Sequence, residues 1–249
     1  MYYPSNFAVF EDPERVAVAA ADRFVKYAQA AIEDHVRFSV SLAGGNTPKR
    51  VYQLLASAQY RDRIDWSKIH VFFGDERSVP PDHPESNYRM ACETLISHVS
   101  IPQANVHQIA GEEEPGISAR HYEDDLRAFF PGIQWPRFDL VLLGMGEDGH
   151  TASLFPGTTA VAETKAWVVA NWVEGLKTFR ITLTPPAINH AAHIMFLVIG
   201  ETKAQPLAEV VNDSRRVEHL PAQLIQPVNG SLEWLTDKAA VARLGLPNE

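Results

Sequence analysis

Phe138-Asp-Leu-Val-Leu-Leu-Gly-Met-Gly-Glu-Asp-Gly-His150 decides how this chain is read. A short apolar run closed by glycines reads as a strand (138–144) buried on both faces, which belongs in a parallel sheet covered by helices. Gly144, Gly146 and Gly149 satisfy the Gly-x-Gly-x-x-Gly spacing of a dinucleotide fold, but the residues after them do not suit one. His150 and Thr151 come at once, and Leu154-Phe-Pro-Gly157 breaks the helix on which a pyrophosphate would rest. The remaining reading is a glycine-rich turn presenting Asp148 and His150 at a strand end, where open parallel sheets bind ligands. A histidine suits general-base work, and an acid two residues away can orient it. The plainer reading is a loop histidine satisfied by its neighbours.

Working outward, short apolar runs alternate with helical patterns. Candidate strands are 7–10, 38–43, 69–74, 138–144, 167–170, 180–184 and 194–200. Pro13 opens a helix with Val16, Ala19, Ala20, Phe24, Tyr27 and Ala31 on one side. Further helices are expected from Pro48, over 87–96, over 117–130 and over 203–211. The acidic stretch 108–116 reads as a solvated loop. No linker or repeat divides the chain, so residues 1–249 are read as one α/β domain.

Composition narrows the partners. With 31 acidic against 22 basic residues and a formal charge of -9, the chain is a poor candidate for nucleic acid or anionic lipid. A small anion would need a few cations gathered locally. The one cysteine, Cys92, excludes an internal disulfide and a multi-cysteine zinc site, and reads as a small core hydrophobe. The first residues lack the charged and apolar regions of a signal peptide, and no apolar run is long enough to span a bilayer. A cytoplasmic protein is expected.

Other strand ends also carry unusual residues. In Ser41-Leu-Ala-Gly-Gly-Asn-Thr-Pro-Lys49, two glycines allow close backbone approach, and Thr47-Pro48 reads as N-cap and first residue of a helix. Free amides there would suit a phosphate, although the Gly-x-x-x-x-Gly-Lys spacing is missing and an ordinary turn reads equally well. In Phe72-Phe-Gly-Asp-Glu-Arg-Ser78, three charged residues directly follow an apolar strand. The plain expectation is a surface turn with Asp75 or Glu76 paired to Arg77. Arg180 is expected to start a strand and Lys203 to open a helix; each could cap a phosphate or form an exposed salt bridge. There is no Gly-x-Ser-x-Gly elbow and no His-Glu-x-x-His spacing, so neither a serine nucleophile at Ser153 nor metal catalysis is expected, and His190 and His193 read as structural.

Taken in order, these segments resemble the glucosamine-6-phosphate isomerase/6-phosphogluconolactonase family over nearly the whole chain. The carriers are Ser41–Pro48, Phe73-Gly-Asp-Glu-Arg77, Ser86-Asn-Tyr88, the run Leu143–Pro156, Arg180-Ile-Thr-Leu-Thr184, Gly200-Glu-Thr-Lys-Ala204 and Pro221-Ala-Gln-Leu224. The resemblance implies a modified Rossmann-like, mostly parallel sheet with helices on both faces. It implies hydrolysis of 6-phospho-D-glucono-1,5-lactone without metal or cofactor, by a monomer or homodimer. By motif position it makes His150 the base, supported by Asp148, and Arg77 a substrate-binding cation. Asp75 binds sugar hydroxyls or fixes Arg77. Gly44, Gly45, Asn46 and Thr47, with Arg180 and Lys203, become the phosphate set.

Deaminating relatives place a catalytic glutamate five residues after the histidine; here that position is Phe155, which cannot move a proton. The prolines often found before the strand arginine are absent from Glu174-Gly-Leu-Lys-Thr-Phe-Arg180. A non-catalytic sugar-phosphate sensor is the reading from another class, and the retained Asp75, Arg77, Asp148 and His150 speak against it.

Overall fold

A computed structural model describes residues 6–212 and 216–244. The segment 1–5, where no leader was expected, lies outside the described residues. Strands β1 (Phe7–Phe10), β2 (Phe38–Leu42), β3 (Ile69–Phe73), β5 (Leu140–Leu143), β8 (His193–Val198) and β9 (Ser231–Asp237) form one sheet in the order β1-β9-β8-β5-β2-β3. Every pairing in it is parallel. β2 and β5 are buried along their whole length; β5 is an unbroken apolar run, whereas β2 alternates apolar residues with the buried Ser39 and Ser41. The helices α1 (Pro13–His35), α2 (Asn46–Ala56), α3 (Ala58–Arg61), α4 (Asn87–Thr94), α5 (Pro115–Phe129), α6 (Pro185–Asn189) and α7 (Ala204–Asn212) connect and flank the strands.

The second sheet departs from the expectation. The runs at 167–170 and 180–184 were expected in the parallel sheet. They lengthen into β6 (Val168–Val173) and β7 (Thr178–Leu183), an antiparallel hairpin that β4 (Asp75–Arg77) extends in the order β4-β7-β6. Only Glu174–Leu176 and Lys177 separate β6 from β7, too short a connection for a parallel crossover. Arg180 is therefore the third residue of its strand, paired with Arg77, rather than the first. β4 and β9 escaped detection because charged side chains interrupt their apolar pattern. The acidic loop is not fully solvated either: Ile109 and Gly111 are buried, and Gly111 packs against the Arg77 and Val79 carbonyls. Cys92 is half-buried rather than a core residue, and burial pushes its thiol pKa up.

The core holds Phe72 among Phe129, Phe130 and Phe138, and Phe196 stacked on Trp234 at 3.9 Å between ring centres. At the sheet edge, His70 Nδ1 lies 3.3 Å from His107 Nε2, whose ring bonds Asp125 at 2.7 Å. Burial first, then the His107 and Arg37 charges, holds the His70 pKa down to about 4. A neutral histidine is thus favoured by folding. Its contribution is present above the unfolded value of about 6.5 and is lost as pH falls through the folded one. Thermal melts should show Tm dropping between about pH 6.5 and 4 and a flatter profile for His70→Gln; identical profiles would remove His70 from the acid sensitivity.

Candidate active site

The carboxyl ends of four neighbouring strands, β8, β5, β2 and β3, share one edge of the parallel sheet. Two adjoining cavities of about 270 and 420 Å³ open there, sharing Asp75, Arg77, His150 and Ala152. The smaller lobe is completed by Gly44, Gly45 and Lys203, the larger by Asp148, Phe155 and Arg180.

His150 and Asp148 form the tightest polar contact of the site. The Nδ1 to Asp148 Oδ1 distance is 2.5 Å, and the same oxygen accepts the His150 backbone N–H at 3.1 Å. Half-burial of Asp148 opposes ionisation, but the hydrogen bonds and charge of His150 outweigh it and hold the carboxyl below its usual pKa. An ionised Asp148 selects the tautomer protonated on Nδ1, leaving the Nε2 lone pair available. The ring lies on Phe155, with centres 4.1 Å apart. Gly146 is required by close approach: a Cβ there would stand 2.1 Å from His150 Nδ1 and 2.6 Å from Asp148 Oδ1.

The cationic walls come from the small sheet. Arg77 and Arg180 are register partners across β4 and β7. Arg77 donates to the Glu85 carbonyl at 2.6 Å, while its Nε is buried without a partner. Burial and then the Arg77 charge lower the Arg180 pKa. Among the described residues neither guanidinium has a carboxylate within 4.0 Å. The charges of Asp75, Glu85 and Glu76 act on Arg180 from beyond ion-pair contact, and two adjacent guanidinium groups held this way beside a cavity favour an anionic ligand.

The expected surface turn at Asp75–Arg77 is overturned. Asp75 and Glu76 are 8% and 2% exposed, and neither pairs with the Arg77 guanidinium. Asp75 accepts from Ser153 and Asn87. Glu76 accepts from Ser86 Oγ and from the N–H groups of Arg77, Asn87 and Tyr88, fastening the start of α4. Its pKa is nevertheless raised, because burial outweighs those bonds. Asn87, Ser86 and Ser153 were given no role by the residue reading; the only signal was their position in the quoted motifs.

The loop expected to meet a phosphate is also corrected. Gly45, not Thr47, is the N-cap of α2, and Pro48 sits third in the helix, where its missing N–H is not needed. Without a capping side chain, the amides of Asn46 and Thr47 open the helix unbonded by one. Gly44 and Gly45 line the cavity, whereas Asn46 and Thr47 do not. Lys203 precedes α7 in the turn Glu201–Lys203 and reaches the smaller lobe. Among the described residues no three His, Cys, Asp or Glu side chains converge as metal ligands, and no helix is long and apolar enough to cross a membrane. His190 and His193 bond Pro186 and Ser231, away from the cavity.

Residues 11–234 match the family described as Glucosamine-6-phosphate isomerases/6-phosphogluconolactonase. The chain belongs to this family. Within it, the chain is 39% identical to the 6-phosphogluconolactonase of Haemophilus influenzae, over 96% of this chain and 100% of that protein. It is 40% identical to the 6-phosphogluconolactonase of a Nostoc species, over 96% and 98%. The solved 6-phosphogluconolactonase of Trypanosoma brucei superposes with a TM-score of 0.85 at 29% identity, covering 98% and 100%. The chain is thus on the 6-phosphogluconolactonase side of a family named for two activities, and Phe155 against the His150 ring is in keeping with that side.

Proposed function

We propose that the chain hydrolyses 6-phospho-D-glucono-1,5-lactone to 6-phospho-D-gluconate in the cytoplasm, the second step of the oxidative pentose phosphate pathway, with His150 as general base. The observation that carries this reading is the Asp148–His150 bond at a cavity also lined by the cations Arg77, Arg180 and Lys203. An aldonolactone is an activated ester, so a held water suffices as nucleophile. The phosphate takes the Gly44–Gly45 turn and Lys203 in the smaller lobe, with Arg180 completing the anion site. That binding energy orients C1 toward the water. His150 Nε2 removes a proton as the water oxygen bonds C1, and Arg77 holds the carbonyl oxygen while negative charge develops there. The C1–ring oxygen bond then breaks, the imidazolium returns the proton to the ring oxygen, and the acid ionises.

The test makes the lactone in situ from glucose 6-phosphate and follows its disappearance against the spontaneous background. Ammonia release from glucosamine 6-phosphate is measured alongside. Acceleration of lactone loss alone is expected; ammonia release without it would move the chain to the deaminase branch. Lys203→Ala and Arg180→Ala should each weaken 6-phosphogluconate binding by about tenfold or more in calorimetric titration. Unchanged affinity would take either residue out of the phosphate set.

A further inference from the structure

We propose that Asp75 is a positioning residue, and that with Asn87 and Ser153 it forms a buried bracket fixing the His150 turn against the Gly44–Gly45 loop. The bracket deepens the lactonase reading, and its kinetic arm rests on that reading.

One face of the small sheet carries two rows in register: Asp75, Thr182 and Val169, then Arg77, Arg180 and Asn171. Ser153, three residues after His150, spans this face with every polar atom it has. Its hydroxyl donates to Asp75 Oδ2 at 2.6 Å and its N–H donates to Thr182 Oγ1 at 3.2 Å. Its carbonyl accepts from Asn171 Nδ2 at 2.9 Å. Ser153 is 1% exposed, and Asn171 and Thr182 are fully buried, so solvent cannot replace these bonds.

The other end of the bracket is Asn87. Its Nδ2 donates to the Asp75 carbonyl at 2.9 Å and to Asp75 Oδ1 at 3.2 Å. The same side chain lies directly against Gly44, where a Cβ would be 2.0 Å from Asn87 Oδ1. Asp75 therefore stands between the loop that meets the phosphate and the turn that carries the base.

Something must hold that turn, because Ala152 has a φ of 48°, a left-handed value that costs a non-glycine residue energy. Thr151 Oγ1 donates to the Gly144 carbonyl at 2.8 Å on one side, and Ser153 is fastened on the other. Each carboxylate oxygen of Asp75 already accepts a buried donor, so the side chain is committed to holding Asn87 and Ser153.

Three variants of the full chain separate a bracket from a base. Asp75→Asn keeps the shape and both contacts, because the Ser153 hydroxyl can rotate to accept from the new amide. It should retain kcat to within about tenfold. Asp75→Ala and Ser153→Ala break the bracket and should each lower kcat by about 10- to 100-fold. Affinity for 6-phosphogluconate should stay within about threefold in Ser153→Ala, and the double variant should be little worse than the poorer single one. A direct base gives another pattern: Asp75→Asn falls as far as Asp75→Ala, and Ser153→Ala remains close to the unaltered chain. That pattern overturns the proposal.

A second arm needs no turnover. The His150 ring resonance, observed by NMR with histidine-selective labelling, should shift in Ser153→Ala and Asp75→Ala but little in Asp75→Asn. An unmoved resonance in Ser153→Ala overturns the bracket whatever the substrate. If the unaltered chain fails to accelerate lactone loss while the resonance still shifts, the lactonase reading falls and the bracket stands.

Discussion

His150→Ala lowers kcat for the lactone by about 10²- to 10⁴-fold and leaves affinity for 6-phosphogluconate close to that of the unaltered chain. The expectation rests on the groups the substitution removes and those it spares. It removes the one imidazole shared by both lobes of the cavity. It spares the turn, because the Gly146 N–H donates to the His150 carbonyl at 2.8 Å and the His150 N–H donates to Asp148, both through the backbone. The ring's packing is confined to one face of Phe155 among the aromatic contacts, so little core is lost with it. The proposed phosphate contacts, Lys203 and the Gly44–Gly45 turn, are not touched by the substitution. Single-turnover lactone loss and a calorimetric titration of product check both halves. A folded variant with unchanged kcat would dismiss His150 as the base, and a proportionate loss of product affinity would make it a binding residue instead.

The strand carrying this histidine was legible because β5 is buried on both faces, so its apolar run is unbroken and its end abrupt. The dinucleotide reading failed for an equally local reason: Leu154-Phe-Pro-Gly157 cannot continue a helix. β4 was not legible. Asp-Glu-Arg looks like a solvated turn until the buried hydroxyls, amides and N–H groups that satisfy it are known, and these come from Ser86–Tyr88 and Ser153, distant in sequence. Pattern reading detects apolar periodicity, whereas a buried charge is specified by partners that only the fold assembles. The same limit explains Arg180. Its segment reads as an ordinary strand, and its meaning appears only when the hairpin sets it beside Arg77.

Gly44→Ala tests how tightly the proposed phosphate loop is built against the rest of the site. The added Cβ would lie 2.0 Å from Asn87 Oδ1, 2.7 Å from its Cγ and 3.0 Å from its Nδ2, all side-chain atoms of one residue. Asn87 is 4% exposed and its amide is committed to Asp75, so it cannot swing aside without breaking those bonds. Either the loop moves away from the cavity or Asn87 releases Asp75. Overpacking of this kind costs about 1–3 kcal/mol of stability, which for a chain of this size lowers Tm by roughly 2–12 °C. Displacing the loop by about an ångström should lower kcat/KM by about 100-fold. Because the overlap is with one side chain, Asn87→Ala should relieve it. The double variant Gly44→Ala/Asn87→Ala is expected to melt with Asn87→Ala alone rather than with the sum of the two losses. Thermal melts of the three variants measure this. Strict additivity would mean that the alanine disturbs the backbone of the loop itself, and that Asn87 is a bystander to the packing of Gly44.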